Sequence, residues 1–461
     1  MEDNFALDYI NKLINEAVEY GFEEAEACFM TAASMEINIL NSEVSSYENS
    51  TIKGVGFRGK KNGQMGGSFT TEFTDEAINF MLQNAMENCE VLDDEDEEFI
   101  YCDPEHSKLE SIQLSGTYDK NTYERFSEAG LRLEKEILAL SPLIKAVDYL
   151  SISCGTGPSI SVNSKGLHTY KDSDYISIFA EARAEKDGVV KTGSHYWFGK
   201  DIDEFDSKPF LETLKKKVIS KFGASSVDSG EYKVIFDSEA FVSLLSTFMG
   251  SFSSYNMQKG LSLLAGKEGE VIASDLFTLR EEPMYEKALI KFPFDSEGVL
   301  TTSKALIDKG VFTKALYNLK TANKAGTKST GNGFKGAYSS PVGISATNII
   351  IEPGNMDFDS LCSWIGDGLY ITDLSGLHAG VNSISGDFSL LSEGFLIKDG
   401  KIDHPVEQIT VSGNFFEVLK RIIATGSDTI SVPEGKGEYF CPSVAVSSMN
   451  ISGEAKEGDE E

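Results

Sequence analysis

The sequence predicts an α+β protein with an N-terminal α/β domain of antiparallel strands and long helices and a C-terminal β-rich domain of mostly antiparallel strands. Helical and strand-like patterns are mixed in the first half. The second half consists largely of short strands broken by Gly, Asn and Pro. The chain contains 42 glycines among 461 residues, which indicates many tight turns. The polar stretch 223–230 separates the two predicted domains, which cover residues 1–225 and 230–461.

Local signals place the first elements of the N-terminal domain. Apolar side chains recur at helical spacing within residues 5–20, and Gly21 follows as the expected end of a helix. Strand-like stretches at 27–33 and 35–40 come next. Asn62-Gly63 stands between two further strand-like runs and predicts a hairpin, because both turn residues must take positive φ. Thr74 is the predicted N-cap of the next helix.

The remaining pattern completes the two predicted domains. We expect a long helix over 118–140, β structure over 146–198 and a helix over 210–222. The second half should begin with a strand over 232–236 and a helix over 238–252. A helix near 415–424 and a strand near 443–451 should end it.

The charge excludes several classes of partner. The chain has 41 basic and 73 acidic side chains, and its formal net charge is −32. Because duplex DNA and anionic lipid surfaces are also negative, the sequence predicts neither direct nucleic-acid binding nor membrane docking. The acidic run 93–98 and the acidic tail 454–461 are interpreted as solvated segments.

The N-terminus and the cysteines predict a cytoplasmic protein. Residues 1–4 (MEDN) have neither the basic start nor the apolar stretch of a secretory signal. No run approaches the roughly 18 apolar residues that span a bilayer. The six cysteines are scattered without a C-x-x-C pair, so we expect reduced and mostly buried thiols.

Common catalytic motifs do not fit. Residues 331–336 (GNGFKG) match G-x-G-x-x-G, but no strand-then-helix context surrounds them, so a structural loop is the prediction. The five histidines are too far apart in sequence for two of them to share a helical turn. Asp373, Ser375 and His378 lie within six residues, whereas catalytic triads are assembled from distant segments. Residue chemistry alone therefore reveals no reaction centre.

Several stretches of the second half have the order and spacing of a known family. They are 269–275 (GEVIASD), 329–333 (STGNG), 346–348 (ATN), 353–354 (PG), 376–382 (GLHAGVN), 385–389 (SGDFS), 393–397 (EGFLI) and 400–401 (GK). These stretches resemble the TldD/PmbA family, and within it the PmbA (TldE) branch. The first half fits the family more loosely, through its N-terminal helix and hairpin.

The resemblance implies a role in proteolysis. TldD-type members of the family resemble zinc proteases with an H-E-x-x-x-H helix and a distant cysteine as third ligand, and they are associated with cleavage of small or unfolded peptides. PmbA-type members pair with them and generally lack the zinc motif. An older label of the family is modulator of DNA gyrase, and the net charge of this chain predicts that any such link is indirect.

The zinc motif is degenerate in this chain. Residues 244–251 (LLSTFMGS) align with it, so Ser246 and Ser251 occupy the histidine positions and Thr247 occupies the glutamate position. Hydroxyls are poor zinc ligands at neutral pH, and Thr cannot act as a general base. Cys441 matches a segment just after the cysteine ligand of the family. We therefore expect no catalytic residues and no cofactor bound by this chain, with zinc carried by a TldD-like partner.

The predicted function is that of a PmbA/TldE-like subunit of a TldD/PmbA-type metallopeptidase complex that acts on small or unfolded peptides. The partner would be a TldD-like subunit or a second copy of the chain. Candidate peptide-binding residues are His378, Asn382 and Asp387, whose alternative role is to shape a tight turn.

Two other functions remain open at this stage. One is a homodimeric metallopeptidase with a non-standard metal site formed by His378, Asp387 and Cys441. The other is a non-enzymatic peptide-binding or scaffold protein.

Overall fold

The computed structural model describes residues 2–91 and 96–454. By its contacts the chain divides into two compact units. The first unit consists of Met1–Ser220, Phe292–Thr301 and Asn318–Gly343, and the second consists of Lys221–Lys291, Thr302–Tyr317 and Ile344–Glu461. The predicted domain boundary between residues 225 and 230 stays a prediction.

Long strands and helices of 13 to 19 residues dominate the chain up to residue 220, with short 3-10 turns at Tyr118–Lys120 and Ile202–Glu204. The elements are α1 (Glu2–Tyr20), β1 (Glu24–Leu40), β2 (Glu43–Lys61), β3 (Gln64–Thr70), α2 (Asp75–Val91), β4 (Lys108–Gln113), α3 (Tyr123–Ala139), β5 (Ile144–Thr156), β6 (Ser159–Asn163), β7 (His168–Lys186), β8 (Val189–Gly199) and α4 (Ser207–Ile219).

Shorter elements follow from residue 230 onward, with one 3-10 turn at Met249–Phe252. They are β9 (Gly230–Phe236), α5 (Ser238–Phe248), α6 (Ser254–Gln258), β10 (Leu279–Glu281), β11 (Lys304–Asp308), β12 (Val311–Phe312), α7 (Leu319–Lys324), β13 (Gly333–Phe334), β14 (Gly343–Ile344), β15 (Ile349–Ile351), α8 (Phe358–Ile365), β16 (Gly368–Ser375), β17 (Asp387–Lys398), β18 (Lys401–Asn414), α9 (Phe415–Lys420), β19 (Ile422–Thr425), β20 (Ile430–Glu434), β21 (Gly437–Cys441) and β22 (Val444–Ser452).

An eight-stranded sheet forms the centre of the first unit. Its strand order is β3-β2-β1-β5-β7-β4, with β6 paired to β1 and β7, and β8 paired to β7. All these pairs are antiparallel except β4 with β7. The core beside β1 and β2 contains Ile10 and Leu13 of α1, Ile78 of α2, and Phe57 of β2. The predicted α+β class is confirmed.

Two hairpin turns connect the first three strands. Asn62 and Gly63 have φ values of 50° and 80°, so the predicted Asn-Gly turn is confirmed. The second turn, at Asn41 and Ser42 with φ values of 55° and 64°, was not predicted. It joins β1 to β2, and β1 is one continuous strand rather than the two separate strands predicted over 27–33 and 35–40.

The second unit contains two six-stranded sheets. One has the order β12-β11-β10-β15-β21-β20. In the other, β18 pairs with both β17 and β22, and the pairings β17–β16, β16–β9 and β9–β22 join these five strands into a closed ring. The main core contains Leu244, Leu245 and Phe248 of α5. Phe248 stacks on Phe415 with 4.4 Å between the ring centroids.

Three predicted helices have other bounds in the structure. The helix predicted over 118–140 is a 3-10 turn followed by α3, and the helix predicted over 238–252 stops at Phe248 before a 3-10 turn. The helix predicted near 415–424 ends at Lys420, because β19 begins at Ile422 and pairs with β22. Tertiary strand pairing overrides the local helical pattern there.

Part of the acidic run is paired rather than solvated. Asp96, Glu97 and Glu98 form ion pairs with Lys324 at 2.7 Å, Lys60 at 2.7 Å and Lys320 at 2.8 Å. The prediction of a solvated segment is therefore wrong for Asp96 and Glu98, whose side chains are 15% and 29% exposed, whereas Glu97 is exposed. Residues 93–95 lie outside the described part of the chain, as does the acidic tail beyond residue 454.

Two further findings concern the membrane and the cysteines. No helix among residues 2–91 and 96–454 is long and apolar enough to cross a membrane. All six cysteines are unbridged, and five of them are buried.

Candidate functional site

The three residues aligned with the zinc motif lie on α5 and just beyond it. Ser246 and Thr247 occupy the last turn of this helix and are half-buried, whereas Ser251 belongs to the following 3-10 turn and is 3% exposed. The helix forms because Asp237 caps its N-terminus and its apolar face is buried in the core of the second unit.

Two of the three side chains hydrogen-bond to their own helix, and Ser251 takes part in a hydrogen bond through its backbone carbonyl. The hydroxyl groups of Ser246 and Thr247 donate to the carbonyl oxygen of Ser243, at 3.2 and 2.8 Å. The carbonyl oxygen of Ser251 accepts a hydrogen bond of 2.7 Å from the hydroxyl of Ser262. These contacts are ordinary bonds of hydroxyls back to a helix or a neighbouring turn.

The residues present do not fit a hydrolytic zinc ion at this position. The neutral hydroxyls of Ser246 and Ser251 cannot replace two imidazoles, and Thr247 has no carboxylate with which to deprotonate a water molecule. In the described part of the chain, no three His, Cys, Asp or Glu side chains lie close enough together to hold a metal ion. His378, Asp387 and Cys441, the predicted alternative metal ligands, accordingly do not form such a group.

The N-terminus of α5 is held by a polar contact that the sequence did not reveal. The Asp237 carboxylate accepts the backbone N–H of Glu239 at 2.8 Å and the hydroxyl of Tyr370 at 2.7 Å. Burial, together with the negative charge of Asp237, raises the pKa of Tyr370, so its hydroxyl remains a donor. Cys441 is fully buried, and burial raises the pKa of its thiol well above the ordinary value. A protonated and inaccessible thiol is a poor metal ligand.

The predicted peptide-binding residues lie in or beside the loop between β16 and β17. The side-chain oxygen of Asn382 accepts the backbone N–H groups of Ile384 and Ser385, both at 3.1 Å. Asp387 accepts hydrogen bonds from Asn414 at 2.9 Å and Ser385 at 2.8 Å, and these bonds lower the pKa of its carboxyl group.

Asn382 and Asp387 therefore help to form the turn, and the backbone N–H of Asn382 also donates to the carbonyl oxygen of Asp387 at 2.8 Å. His378 is exposed in the same loop. A contact of any of the three with a peptide stays a prediction.

Another stretch that carries the family resemblance is structural in this fold. Thr347 donates its backbone N–H and its hydroxyl to the Glu281 carboxylate, at 2.7 and 2.8 Å. The same carboxylate pairs with Lys304 at 2.5 Å. Asn348 is fully buried and donates to the carbonyl oxygens of Pro283 and Ile290. Residues 346–348 thus stabilise the second unit rather than a reaction centre.

Comparison with protein-family models places the whole architecture in one family. Residues 25–89 match the model described as PmbA/TldA metallopeptidase domain 1, residues 118–222 match the central domain, and residues 229–453 match the C-terminal domain.

Relatives at moderate identity extend over most of the chain. The metalloprotease PmbA of Escherichia coli O157:H7 is 24% identical over 458 residues, which cover 96% of this chain and 97% of that protein. A PmbA homologue of Haemophilus influenzae, also named a metalloprotease, is 27% identical over 333 residues. The aligned region covers 72% of this chain and 70% of that protein.

Solved structures have the same fold. A Thermotoga maritima protein described as a candidate modulator of DNA gyrase superposes with a TM-score of 0.87 at 29% identity, covering 96% of this chain and 99% of that one. TldE from Thermococcus kodakarensis superposes with a TM-score of 0.86 at 22% identity, covering 96% and 100%, and supports the fold alone. The chain belongs to the PmbA/TldD metallopeptidase family.

Proposed function

We propose that this protein is a PmbA/TldE-like, non-catalytic subunit of a TldD/PmbA-type peptidase complex that acts on small or unfolded peptides. The catalytic zinc would belong to a TldD-like partner. The chain itself would bind no metal and would help to form the peptide-binding surface.

The state of α5 carries this proposal. The helix and its buried face are intact, whereas the positions that would bind and use a metal hold Ser246, Thr247 and Ser251. Their hydrogen bonds to their own helix and its neighbouring turn make these residues part of the scaffold. A helix that keeps its packing but lacks metal ligands is what we expect in a subunit whose partner performs the hydrolysis.

An extended peptide could pair with the end of a sheet in the second unit. The strand β20 terminates the sheet that contains β21, and α5 packs against both strands. Ile430 and Ser431 of β20 are exposed. Main-chain hydrogen bonds to such a strand bind peptides with little regard to sequence. Pro433 lacks an N–H, so pairing is expected over residues 430–432.

The test is reconstitution with a TldD-like subunit from the same genome. We expect the two chains to co-purify, one zinc ion per catalytic subunit, and peptide cleavage that requires the complex and is abolished by a chelator. The S246A/T247A double variant should leave cleavage unchanged, because neither hydroxyl takes part in the chemistry. Stoichiometric zinc in this chain alone, together with chelator-sensitive cleavage, would contradict the proposal and favour the homodimeric metallopeptidase.

Peptide contact is tested at the exposed histidine. We expect H378A to weaken peptide binding by the complex about five- to tenfold, the loss of roughly 1 kcal/mol of contact. H404A is the matched control, because His404 is also a partly exposed histidine of the second unit and bonds its neighbour Asp403 at 2.7 Å. Equal binding by H378A, H404A and the parent protein, measured by fluorescence anisotropy, would remove His378 from the binding surface.

A further inference from the structure

A cluster of buried charges lies within the first unit. Glu26 of β1 is 1% exposed and receives a two-pronged contact from Arg58 of β2, at 2.9 and 3.1 Å. Lys335 adds a third contact to the same carboxylate at 2.8 Å. Burial disfavours the ionised form of Glu26, but the two cations outweigh it and lower the pKa of Glu26 to about 2. Lys335 therefore fixes the segment after β13 to the central sheet.

Two carboxyl groups from the segment 292–301 lie beside this cluster. Asp295 is fully buried and accepts the backbone N–H groups of Glu297, Val299 and Gly333, at 2.9, 3.0 and 2.9 Å. Glu297 is 3% exposed and accepts the N–H of Leu319, the first residue of α7, at 2.8 Å. The pair therefore holds both α7 and the glycine loop that precedes β13.

The two carboxyl groups have different surroundings. Asp295 has three N–H donors, which favour its anion, although burial raises its pKa to about 6. Glu297 has one N–H donor, and its nearest cation is Arg58 at 4.0 Å. Burial, followed by repulsion from Asp295, raises the pKa of Glu297 to about 8. The three N–H donors favour the anion at Asp295, whereas burial with a single N–H donor favours the protonated form of Glu297.

We propose that Asp295 and Glu297 form a proton-controlled lock, which holds α7 and residues 329–333 on the first unit while Glu297 is protonated and loosens them when Glu297 loses its proton. The proton leaves to solvent, and a second anion then remains in a buried site beside Asp295. The lock acts on the STGNG stretch, one of the segments that carry the family resemblance. This inference is independent of the proposed function.

Other charged groups surround the pair on several elements. Arg58 faces Glu297, Glu26 and, at 3.9 Å, Glu98. Lys171 of β7 donates to the backbone carbonyl of Asp295 at 3.0 Å and lies over the Phe294 ring at 4.6 Å. The same α7 is attached at its solvent side by Lys320, which bonds Glu98 at 2.8 Å. None of these groups donates a direct hydrogen bond to the Glu297 carboxyl group.

Close approach at this site depends on a glycine. A Cβ atom at position 333 would lie 2.3 Å from a carboxyl oxygen of Glu297, so a larger residue there would force the Glu297 side chain to move. Glycine at this position therefore lets the loop and the carboxyl pair keep their present contact.

The test is hydrogen exchange of the full-length protein at several pH values, corrected for intrinsic exchange rates. We expect the equilibrium constant for local opening, measured on peptides covering 318–336, to rise about tenfold between pH 7 and pH 9. This rise is the expected effect of releasing one proton from Glu297. E297Q stays neutral and can still accept the Leu319 N–H. Its opening should be lower than that of the parent already at pH 7, because in the opened parent Glu297 ionises with its ordinary pKa, and it should stay constant up to pH 9.

K324M is the control that distinguishes the lock from a general weakening of α7. It removes the ion pair between α7 and Asp96, at 2.7 Å, and leaves Arg58, Glu98 and the carboxyl pair unchanged, so it should raise opening equally at both pH values. The proposal fails if E297Q keeps the pH dependence of the parent. It also fails if the parent shows no pH dependence, or shows one spread evenly over all peptides of the first unit.

Discussion

Asp237 has two roles at the start of α5. It caps the helix through the Glu239 N–H and receives the hydroxyl of Tyr370. We expect D237A to lower the free energy of unfolding by about 2 kcal/mol, because a lost cap costs about 1 kcal/mol and a largely buried hydroxyl left without its acceptor costs about as much again. Urea unfolding followed by circular dichroism measures the change.

A second aspartate provides the comparison. Asp357 caps α8 through the Ser360 N–H at 2.8 Å and is exposed, so D357A removes a cap without leaving a buried hydroxyl unpaired. D357A should therefore be less destabilising than D237A. Equal losses for the two variants would show that the Tyr370 contact adds nothing to the stability of α5.

His195 should make the protein less stable in mild acid. Burial, and then the positive charge of Lys217, lower the pKa of its imidazole to about 4, below the unfolded value of about 6.5. The unfolded chain therefore binds a proton first, and stability that is present above pH 6.5 is lost as the pH falls towards 4. The ring lies between Tyr196 and Phe210, so H195F should keep the packing and reduce this loss. Urea midpoints between pH 7 and pH 5 test the slope, and an unchanged slope in H195F would contradict the assignment.

Residues with local partners could be predicted from the sequence, and those with distant partners could not. Thr74 accepts the N–H of Ala77 at 3.2 Å, as its position before an apolar periodic run indicated. Glu26 and Lys335 are 309 residues apart, and nothing near either residue indicates their contact. The turn at Asn41 was missed because Asn-Ser is a weaker hairpin signal than Asn-Gly.

At the scale of elements, α5 is stabilised by its apolar face and not by the hydroxyls of the degenerate motif. S246A and T247A should each change the free energy of unfolding by less than about 0.5 kcal/mol, because these hydroxyls only bond back to their own helix. F248A should cost about 3–5 kcal/mol, since Phe248 is fully buried against Phe415. Chemical denaturation of the three variants checks the contrast, and a large loss in T247A would indicate a structural contact beyond the helix.

Element type was predicted more accurately than element ends. The apolar pattern of α5 gave its start at Ser238, but the change to a 3-10 turn after Phe248 depends on packing that no local pattern encodes. The same limit explains the region after Lys420, where pairing with β22 makes a strand of residues that fit a helical pattern. For the candidate site, the sequence predicted the helix and the three positions at which the zinc motif is replaced. It did not predict the contacts that these residues make.

At the scale of the whole molecule, the first unit includes segments from the second half of the sequence, and we expect its stability to depend on them. A fragment of residues 1–225 lacks Lys335, Asp295 and Glu297, so Glu26 and Arg58 lose partners within a buried cluster. Removing one partner of a buried ion pair costs about 3–5 kcal/mol. We expect the fragment to unfold at much lower temperature than the intact protein, or to aggregate, as measured by circular dichroism and light scattering.

The matched fragment carries the missing segments. Residues 1–225 joined through a flexible linker to residues 292–343 should recover most of the secondary structure and thermal stability. The same fusion with K335M should recover less. A stable, monomeric fragment of residues 1–225 alone would contradict the dependence.

The interleaving of the two units has a consequence for synthesis on the ribosome. The central sheet is complete once residue 220 has been made, but the segments that finish its charged core end only at Gly343. At translation rates of about 5–20 residues per second, the nascent sheet waits on the order of ten seconds with Glu26 and Arg58 still lacking Lys335. The chain should therefore depend on chaperones during this interval, and rare codons placed between positions 220 and 343 should lower the yield of native protein more than rare codons placed after 343.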